Sequence, residues 1–337
     1  MPRVAAFGEV MMRLQVPGYE TLAQGSRLEY SFSGSGVNVT AALSRYGYNG
    51  ALITTLPETP VGEAAMAYLR KLGVDTSLIR RGGKQLGMYF LENGFGARPG
   101  RVTYTDRLGS SFNTADAENY DMAALASRVD VLHLCGITLA MNDGVRQQMK
   151  RLAAEVKSAG GTVVFDCNYR PALWGEDGYA KARPHVEELL GLADLVLMNE
   201  KDAQYILGVV TGEYDRITQL KQAIPAVAER FGIRTAAGTH REINADNTHS
   251  LTGYIYHQGT FRFSRKLTFP VYDRIGAGDA FASAIIHGEL QQYPQQQTVD
   301  MAAAAAMLAH TIPGDTALFT ESEVLRALSD RSLDVER

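Results

Sequence analysis

The chain reads as an α/β protein: a three-layer α/β/α domain on a mainly parallel sheet, with a small β-sheet lid beside it. Three observations predict this. Short apolar runs alternate with helix-period segments through most of the sequence, the pattern of a parallel sheet covered by helices on both faces. Three other stretches alternate apolar with polar residues, which marks strands with one buried face. Near the C-terminus, the run Asp273-Arg274-Ile275-Gly276-Ala277-Gly278-Asp279-Ala280-Phe281 sets two glycines and an acid where a loop turns into a helix. Sheets of this kind bind ligands beyond the carboxyl ends of their strands, and helix starts there suit anions.

In chain order, the apolar runs predict strands at 4–7, 51–55, 129–135, 162–166, 195–198 and 235–238. The helix-period segments fall at 37–46, 62–72, 144–158, 184–192, 220–231, 279–290, 301–311 and 322–328. The half-buried strands are expected at 27–32, 87–93 and 101–106, the last two joined by a turn containing Gly and Pro. They are separated in sequence but able to form one sheet beside the strand ends. We therefore expect a single domain over 1–337 with a lid inserted at about 12–32 and 86–108. The alternative is that these strands simply lengthen the main sheet. An apolar outer face on the lid would suit a homo-oligomer contact. The polar tail 329–337 is expected to fray.

Composition narrows the function. The net charge of −4 gives no electrostatic case for binding nucleic acid. Cys135 and Cys167 both lie in apolar runs and read as buried small hydrophobes of a reducing compartment, neither a bridge nor a metal site. The N-terminus lacks a signal-peptide layout, and the longest apolar run, 301–309, is too short to span a bilayer. A soluble, cytoplasmic protein without membrane partners is expected.

Chemistry concentrates in a few segments. In 273–281 the unpaired N–H groups of Gly276, Ala277 and Gly278 would cradle an anion, and Asp279 beside them could take a proton from an attacking hydroxyl. A plain helix cap would explain any one of these residues. In Ser33-Gly34-Ser35-Gly36-Val37-Asn38, small residues lead into a helix; Gly34, Ser35, Gly36 and Asn38 could hold substrate hydroxyls or a carboxylate, or merely cap. In Asp166-Cys167-Asn168-Tyr169-Arg170, the acid and the arginine could pair with each other, or Arg170 could meet a carboxylate or phosphate oxygen. Asn199-Glu200-Lys201-Asp202 is either an acidic helix start or a carboxylate for a hydrated metal. Pro313 and Gly314 suffice to end the alanine-rich helix before Asp315. Gly238 and Thr239 can approach phosphate; Arg241 could add charge or be solvated, and His240 reads as surface or packing.

These segments, in this order, closely resemble the signatures of the ribokinase-like (PfkB) carbohydrate kinases over nearly the whole chain, most of all the 2-keto-3-deoxygluconate kinases. The resemblance implies the ribokinase-like fold and an ATP-dependent sugar-acid kinase. Its product would be 2-keto-3-deoxy-6-phosphogluconate, made at the C6 hydroxyl. It implies Asp279 as base, Gly276–Gly278 as the charge-stabilising cradle and Arg170 on the substrate or the transferred phosphate. Asp315 would hold sugar hydroxyls. Tyr89 and Arg107 match lid positions that contact substrate, with Arg107 on the acid's carboxylate. Asn168, Asn199, Gly238, Thr239, Gly276 and Gly278 fall on the nucleotide side, where Asn199 and Asp202 would hold Mg2+ through water. The alanines 302–306 would leave room for an adenine ring or permit close helix packing. A monovalent cation such as K+ near the cradle is also implied.

The chain departs from the family pattern at Cys167, usually proline; at Asp202, usually glutamate; at Thr105-Asp106-Arg107, often Tyr-Tyr-Arg; and at His240-Arg241. Other readings are a kinase of a neutral ketose such as fructose or tagatose, a nucleoside kinase, and a catalytically silent sugar-acid sensor. No GxxxxGK[ST] run occurs, so a P-loop enzyme is excluded.

Overall fold

The structure, a computed structural model, describes residues 1–329 apart from 117, 119 and 213; of the tail 329–337, only Ser329 lies among the described residues. The strands are β1 (Arg3–Phe7), β2 (Met11–Gln15), β3 (Glu29–Ser33), β4 (Asn49–Ile53), β5 (Thr55–Leu56), β6 (Arg80–Arg81), β7 (Gly87–Glu92), β8 (Arg101–Thr105), β9 (Val131–Cys135), β10 (Thr162–Asp166), β11 (Leu195–Leu197), β12 (Thr235–Ile243), β13 (His249–His257), β14 (Thr260–Phe263) and β15 (Leu267–Phe269). The main sheet runs β14-β13-β12-β11-β10-β9-β1-β4, with β15 also on β13. From β4 to β12 every pairing is parallel. The central strands are buried on both faces, as their unbroken apolar runs require.

Helices cover both faces. Asp143–Ser158, Gly178–Leu190 and Arg216–Phe231 bury their apolar stripes on one side. Ser35–Arg45, Ala277–Leu290 and Gln295–Ala309 lie on the other. The last two pack closely because Ala302 to Ala306 are fully buried between layers. None of these alanines lines the cleft described below, so close packing, not room for a ring, is their role here.

Several boundaries differ from those read off the sequence. Gly178–Leu190 and Arg216–Phe231 begin before the predicted 184 and 220 and carry Pro184 and Pro225 inside them; buried apolar faces outweigh the lost hydrogen bonds. Gln295–Ala309 begins with a polar turn ahead of the predicted 301. The strand at 235–238 continues to Ile243, and β13 to β15 add an antiparallel flank. Their mix of His, Thr, Ser and Tyr hid them from an apolar pattern.

The lid is a separate sheet, β3-β2-β7-β8, not a continuation of the main one. The sequence reading lacked β2, which lies at its centre and pairs in parallel with β7. Its inner face buries Met11, Tyr89 and Leu91 with Ile275 against them. Its outer face leaves Tyr30 and Met88 exposed, whereas Val102 and Tyr104, opposite Leu91 and Tyr89, turn to the cleft side. Among the described residues, no helix is long and apolar enough to cross a membrane. Cys135 and Cys167 are buried free thiols, as expected.

Candidate active site

A cleft of about 1200 Å3 lies between the lid and the carboxyl ends of the main-sheet strands. Every site residue predicted from the sequence lines it except Ala277, which is buried directly behind Gly276 and Gly278.

The cleft floor is the start of helix Ala277–Leu290. Gly276 precedes it with φ 82° and no side chain caps the first turn, so the turn's N–H groups stay free for an anion. The two glycines serve different ends. A Cβ on Gly276 would lie 1.7 Å from the carbonyl oxygen of Asp315, so backbone packing forbids any other residue. A Cβ on Gly278 would meet nothing, because that residue faces the open cleft.

Asp279 follows in the first turn and is buried. Ser35 Oγ donates to its Oδ1 at 2.6 Å and Asn38 Nδ2 to its Oδ2 at 2.7 Å. Thr316 Oγ1 in turn donates to Asn38 Oδ1 at 3.0 Å. Ser35 and Asn38 were expected on substrate; in this structure their side chains hold the Asp279 carboxylate. Gly36 likewise serves packing, since a Cβ there would lie 3.1 Å from both Ala6 and Leu52. A Cβ on Gly34 would lie 2.3 Å from the Glu9 carbonyl oxygen. Burial raises the Asp279 carboxyl above its ordinary value, against the two hydrogen bonds and the charge of Arg170.

Two more buried carboxylates sit nearby. Asp166 ends β10, and burial, followed by the charge of Asp279, pushes it up to about 8. Asp202 is pushed up to about 6 by burial. Arg170 lowers all three. It does not close an ion pair with Asp166: it is exposed at the cleft, and its Nη1 donates to the Tyr169 carbonyl at 3.1 Å. It therefore remains available to an incoming anion. Asn168 Nδ2 donates to Cys135 Sγ at 3.3 Å and to Asp166 Oδ2 at 3.4 Å.

Asn199 and Asp202 form a reciprocal cap. Asn199 N donates to Asp202 Oδ2 at 2.9 Å, and Asn199 Oδ1 accepts from the N–H groups of Lys201 and Asp202 at 2.8 and 3.2 Å. Asp202 also lines the cleft, so the cap does not remove it from the cleft wall. Among the described residues no three acids, histidines or cysteines converge closely enough to ligate a metal directly. A hydrated Mg2+, which keeps several waters, fits such a site.

On β12, side chains alternate. His240 turns away from the cleft, 3.3 Å from Glu242, whereas Arg241 turns into it with Thr239. Burial, then the charge of Arg274, lowers Arg241. Gly238 is held against the Met198 carbonyl, where a Cβ would lie at 2.2 Å.

The lid side departs most from expectation. Arg107 does reach the cleft, but its Nε donates to Glu9 at 2.6 Å, so only its terminal nitrogens are left for a bidentate carboxylate pair. Glu9 is fixed in turn by Ser110 and Asn113. Tyr89 OH donates to Asp315 Oδ2 at 2.7 Å and meets Ser33 Oγ at 2.9 Å. The other Asp315 oxygen pairs with Arg13, which also donates to Asp273 at 2.8 Å. Asp315 therefore shares its carboxylate with the lid before any sugar hydroxyl arrives. Arg13 and Glu9 escaped the sequence reading. The available signal was indirect: two acids flanking an anion cradle call for a cation.

An uncapped helix start beside a buried, hydrogen-bonded carboxylate, roofed by a lid, defines a phosphotransferase acting on an alcohol, on the ribokinase-like fold. Residues 1–321 match the pfkB family carbohydrate kinases, and the chain belongs to that family. Its sequence is 29% identical to the 2-dehydro-3-deoxygalactonokinase of Haloferax volcanii, covering 99% of each chain. Its structure is similar to that of a protein from Enterococcus faecalis assigned provisionally as a 2-keto-3-deoxygluconate kinase. That match has TM-score 0.96 and 36% identity, covering 100% of this chain and 99% of the other. A ribokinase-type protein from E. coli, solved with ATP and Mg2+, shares the fold at TM-score 0.79 and 17% identity, covering 97% and 99%. The chain is thus a sugar kinase.

Proposed function

We propose that the protein transfers the γ-phosphoryl group of ATP to the C6 hydroxyl of 2-keto-3-deoxy-D-gluconate. The observation that carries this reading is Asp279: a buried carboxylate held by Ser35 and Asn38 at the mouth of an uncapped helix. Asp279 takes the proton of the C6 hydroxyl. The oxygen bonds to the γ-phosphorus as the bond to the bridging oxygen breaks, and ADP leaves. The N–H groups at Gly276, Ala277 and Gly278 receive the charge on the transferring group. Arg170 faces the same region, and Arg107 offers its terminal nitrogens to the acid's carboxylate.

Asn199 and Asp202 would hold Mg2+ through water, and the ion would neutralise phosphate charge. The E. coli relative solved with ATP and Mg2+ supports that pairing of cofactors. Asn168, Gly238 and Thr239 belong to the nucleotide side of this reading. A monovalent cation beside the cradle belongs to it too, and K+ dependence of kcat is its test. The exposed aromatic and aliphatic face of the lid supports assembly through the lid. Replacing Tyr30 and Met88 together by Ser should shift the sedimentation of the protein toward monomer, and an unchanged profile would remove that contact from the reading.

A coupled ADP-release assay tests the function, comparing 2-keto-3-deoxygluconate with its galactonate epimer, fructose and tagatose. Strong preference for the first is expected. The Haloferax relative favours a second reading, in which the C4 epimer is the better substrate. Preference for a neutral ketose would overturn the role of Arg107, and silence on all four would favour a sensor.

A further inference from the structure

Arg13 is a cation without an assigned task. It sits at the centre of β2, in the lid, with 1% of its surface exposed. Its Nη2 donates to Asp273 Oδ2 at 2.8 Å, its Nη1 to Asp315 Oδ1, and its Nε to Gln15 at 3.0 Å. Each acid belongs to a loop that shapes the anion cradle. The second oxygen of Asp273 accepts from the N–H groups of Arg274 and Ile275 at 2.7 and 3.1 Å, which sets the approach to Gly276. The backbone carbonyl of Asp315 packs directly on Gly276. Gly314 N also donates to Asp273 Oδ2, at 3.3 Å, so the two loops are joined.

We infer that Arg13 is a positioning residue: from the lid sheet, its guanidinium clamps the two loops that form the anion cradle, so that the cradle holds its working shape when the lid is seated. The inference rests on the kinase reading of the cleft. Charge and geometry both support it. Two buried carboxylates beside an anion site would repel the phosphates they border, and Arg13 offsets one of them in place. Its planar fork reaches two acceptors at once, which an ammonium cannot do equally well. A purely structural ion pair would explain the burial. It would not explain why the cation comes from the lid sheet and its partners from the loops of the cradle, since apolar packing stabilises a buried site at least as well.

The test compares Arg13→Ala and Arg13→Lys with the wild type, using whichever sugar the wild type phosphorylates fastest. In Arg13→Ala, kcat should fall about 100-fold, the scale of a lost transition-state donor, with KM for the sugar changed much less. Millimolar guanidinium should restore part of that kcat, while urea, of similar shape but neutral, should not. Arg13→Lys keeps the charge but not the fork and should lose about 10-fold with its unfolding temperature nearly unchanged. Folded variants with wild-type kcat, or a loss that guanidinium does not relieve, would overturn the inference. Should Arg13→Ala fail to fold, the lysine variant decides alone.

Amide hydrogen exchange supplies a readout independent of any sugar. Exchange at Arg274, Ile275 and Gly314, whose N–H groups bond to Asp273, should quicken in both variants while helix Asp143–Ser158 stays protected. Unchanged exchange at these three amides would sink the clamp even if the wild type phosphorylated none of the sugars offered, an outcome that would count against the kinase reading separately.

Discussion

Asp279 holds its carboxylate by two side-chain donors, in a buried place that raises its proton affinity. In the proposed role of base it works only when ionised, so kcat should rise with pH through the raised value. Asp279→Asn keeps both the shape and the capacity to hydrogen-bond but cannot accept the proton. Turnover should fall by about 10²–10⁴-fold, with ATP affinity, read by calorimetry, largely preserved. Near-normal turnover would remove Asp279 from the mechanism. The identity of this residue was legible in the sequence because Gly-Ala-Gly-Asp places it by local geometry. The partners of its carboxylate were not. Ser35 and Asn38 come from a segment more than 200 positions away, and nothing in their own neighbourhood says whether they face ligand or protein.

At the scale of the element, the helix start at 276–279 depends on close backbone approach. Gly276 combines φ 82° with a carbonyl 1.7 Å from the place where a Cβ would stand. Gly276→Ala must therefore displace the loop carrying Asp315, at a cost of several kcal/mol, roughly 2–5, and with loss of activity. Gly278→Ala meets no protein atom. Its unfolding temperature should stay close to that of the wild type while the KM for ATP rises, because only a ligand occupies the space. Equal destabilisation by the two substitutions, measured by thermal denaturation, would contradict this division of labour. Sequence analysis marked both glycines alike; only the packing of the 310–315 loop separates them. The lid shows the same limit. Alternation identified three of its strands, but β2 carries Arg13 on its inward face, which breaks the pattern of apolar residues inside.

For the whole molecule, the main tension is charge. Asp166, Asp202 and Asp279 are all buried near one another, with Arg170 as the cation facing them. Burial, followed by the charge of Asp279, pushes Asp166 up to about 8 in the folded chain against an ordinary 3.8. The folded state thus keeps a proton that the unfolded state has lost. Its stabilising effect is complete below the unfolded value and fades as pH rises through about 8. The buried histidines His133 and His310 are pushed the other way, to about 4, so their contribution is already constant above their ordinary 6.5. Between pH 6.5 and 8.5 the unfolding temperature of the apo protein should therefore decline, and Asp166→Asn should flatten the decline. Bound Mg2+ with nucleotide should also reduce it, by favouring the ionised carboxylates. A rising unfolding temperature over that range would contradict the protonated Asp166.

By itself the sequence determined the layers, the order of most strands and helices, the separate lid and the glycine-rich helix start with Asp279 in its first turn. All of these follow from local signals: periodicity, turn residues and a contiguous motif. The tertiary structure decided what each polar side chain does. It gave Ser35 and Asn38 to Asp279, joined Asp315 to Tyr89 and Arg13, tied Arg107 to Glu9 and turned Arg241, not His240, into the cleft. The physical reason is that a buried polar group must find a partner, and in this fold the partners lie on different strands and loops. Which donor meets which acceptor depends on distances in space that no local pattern encodes.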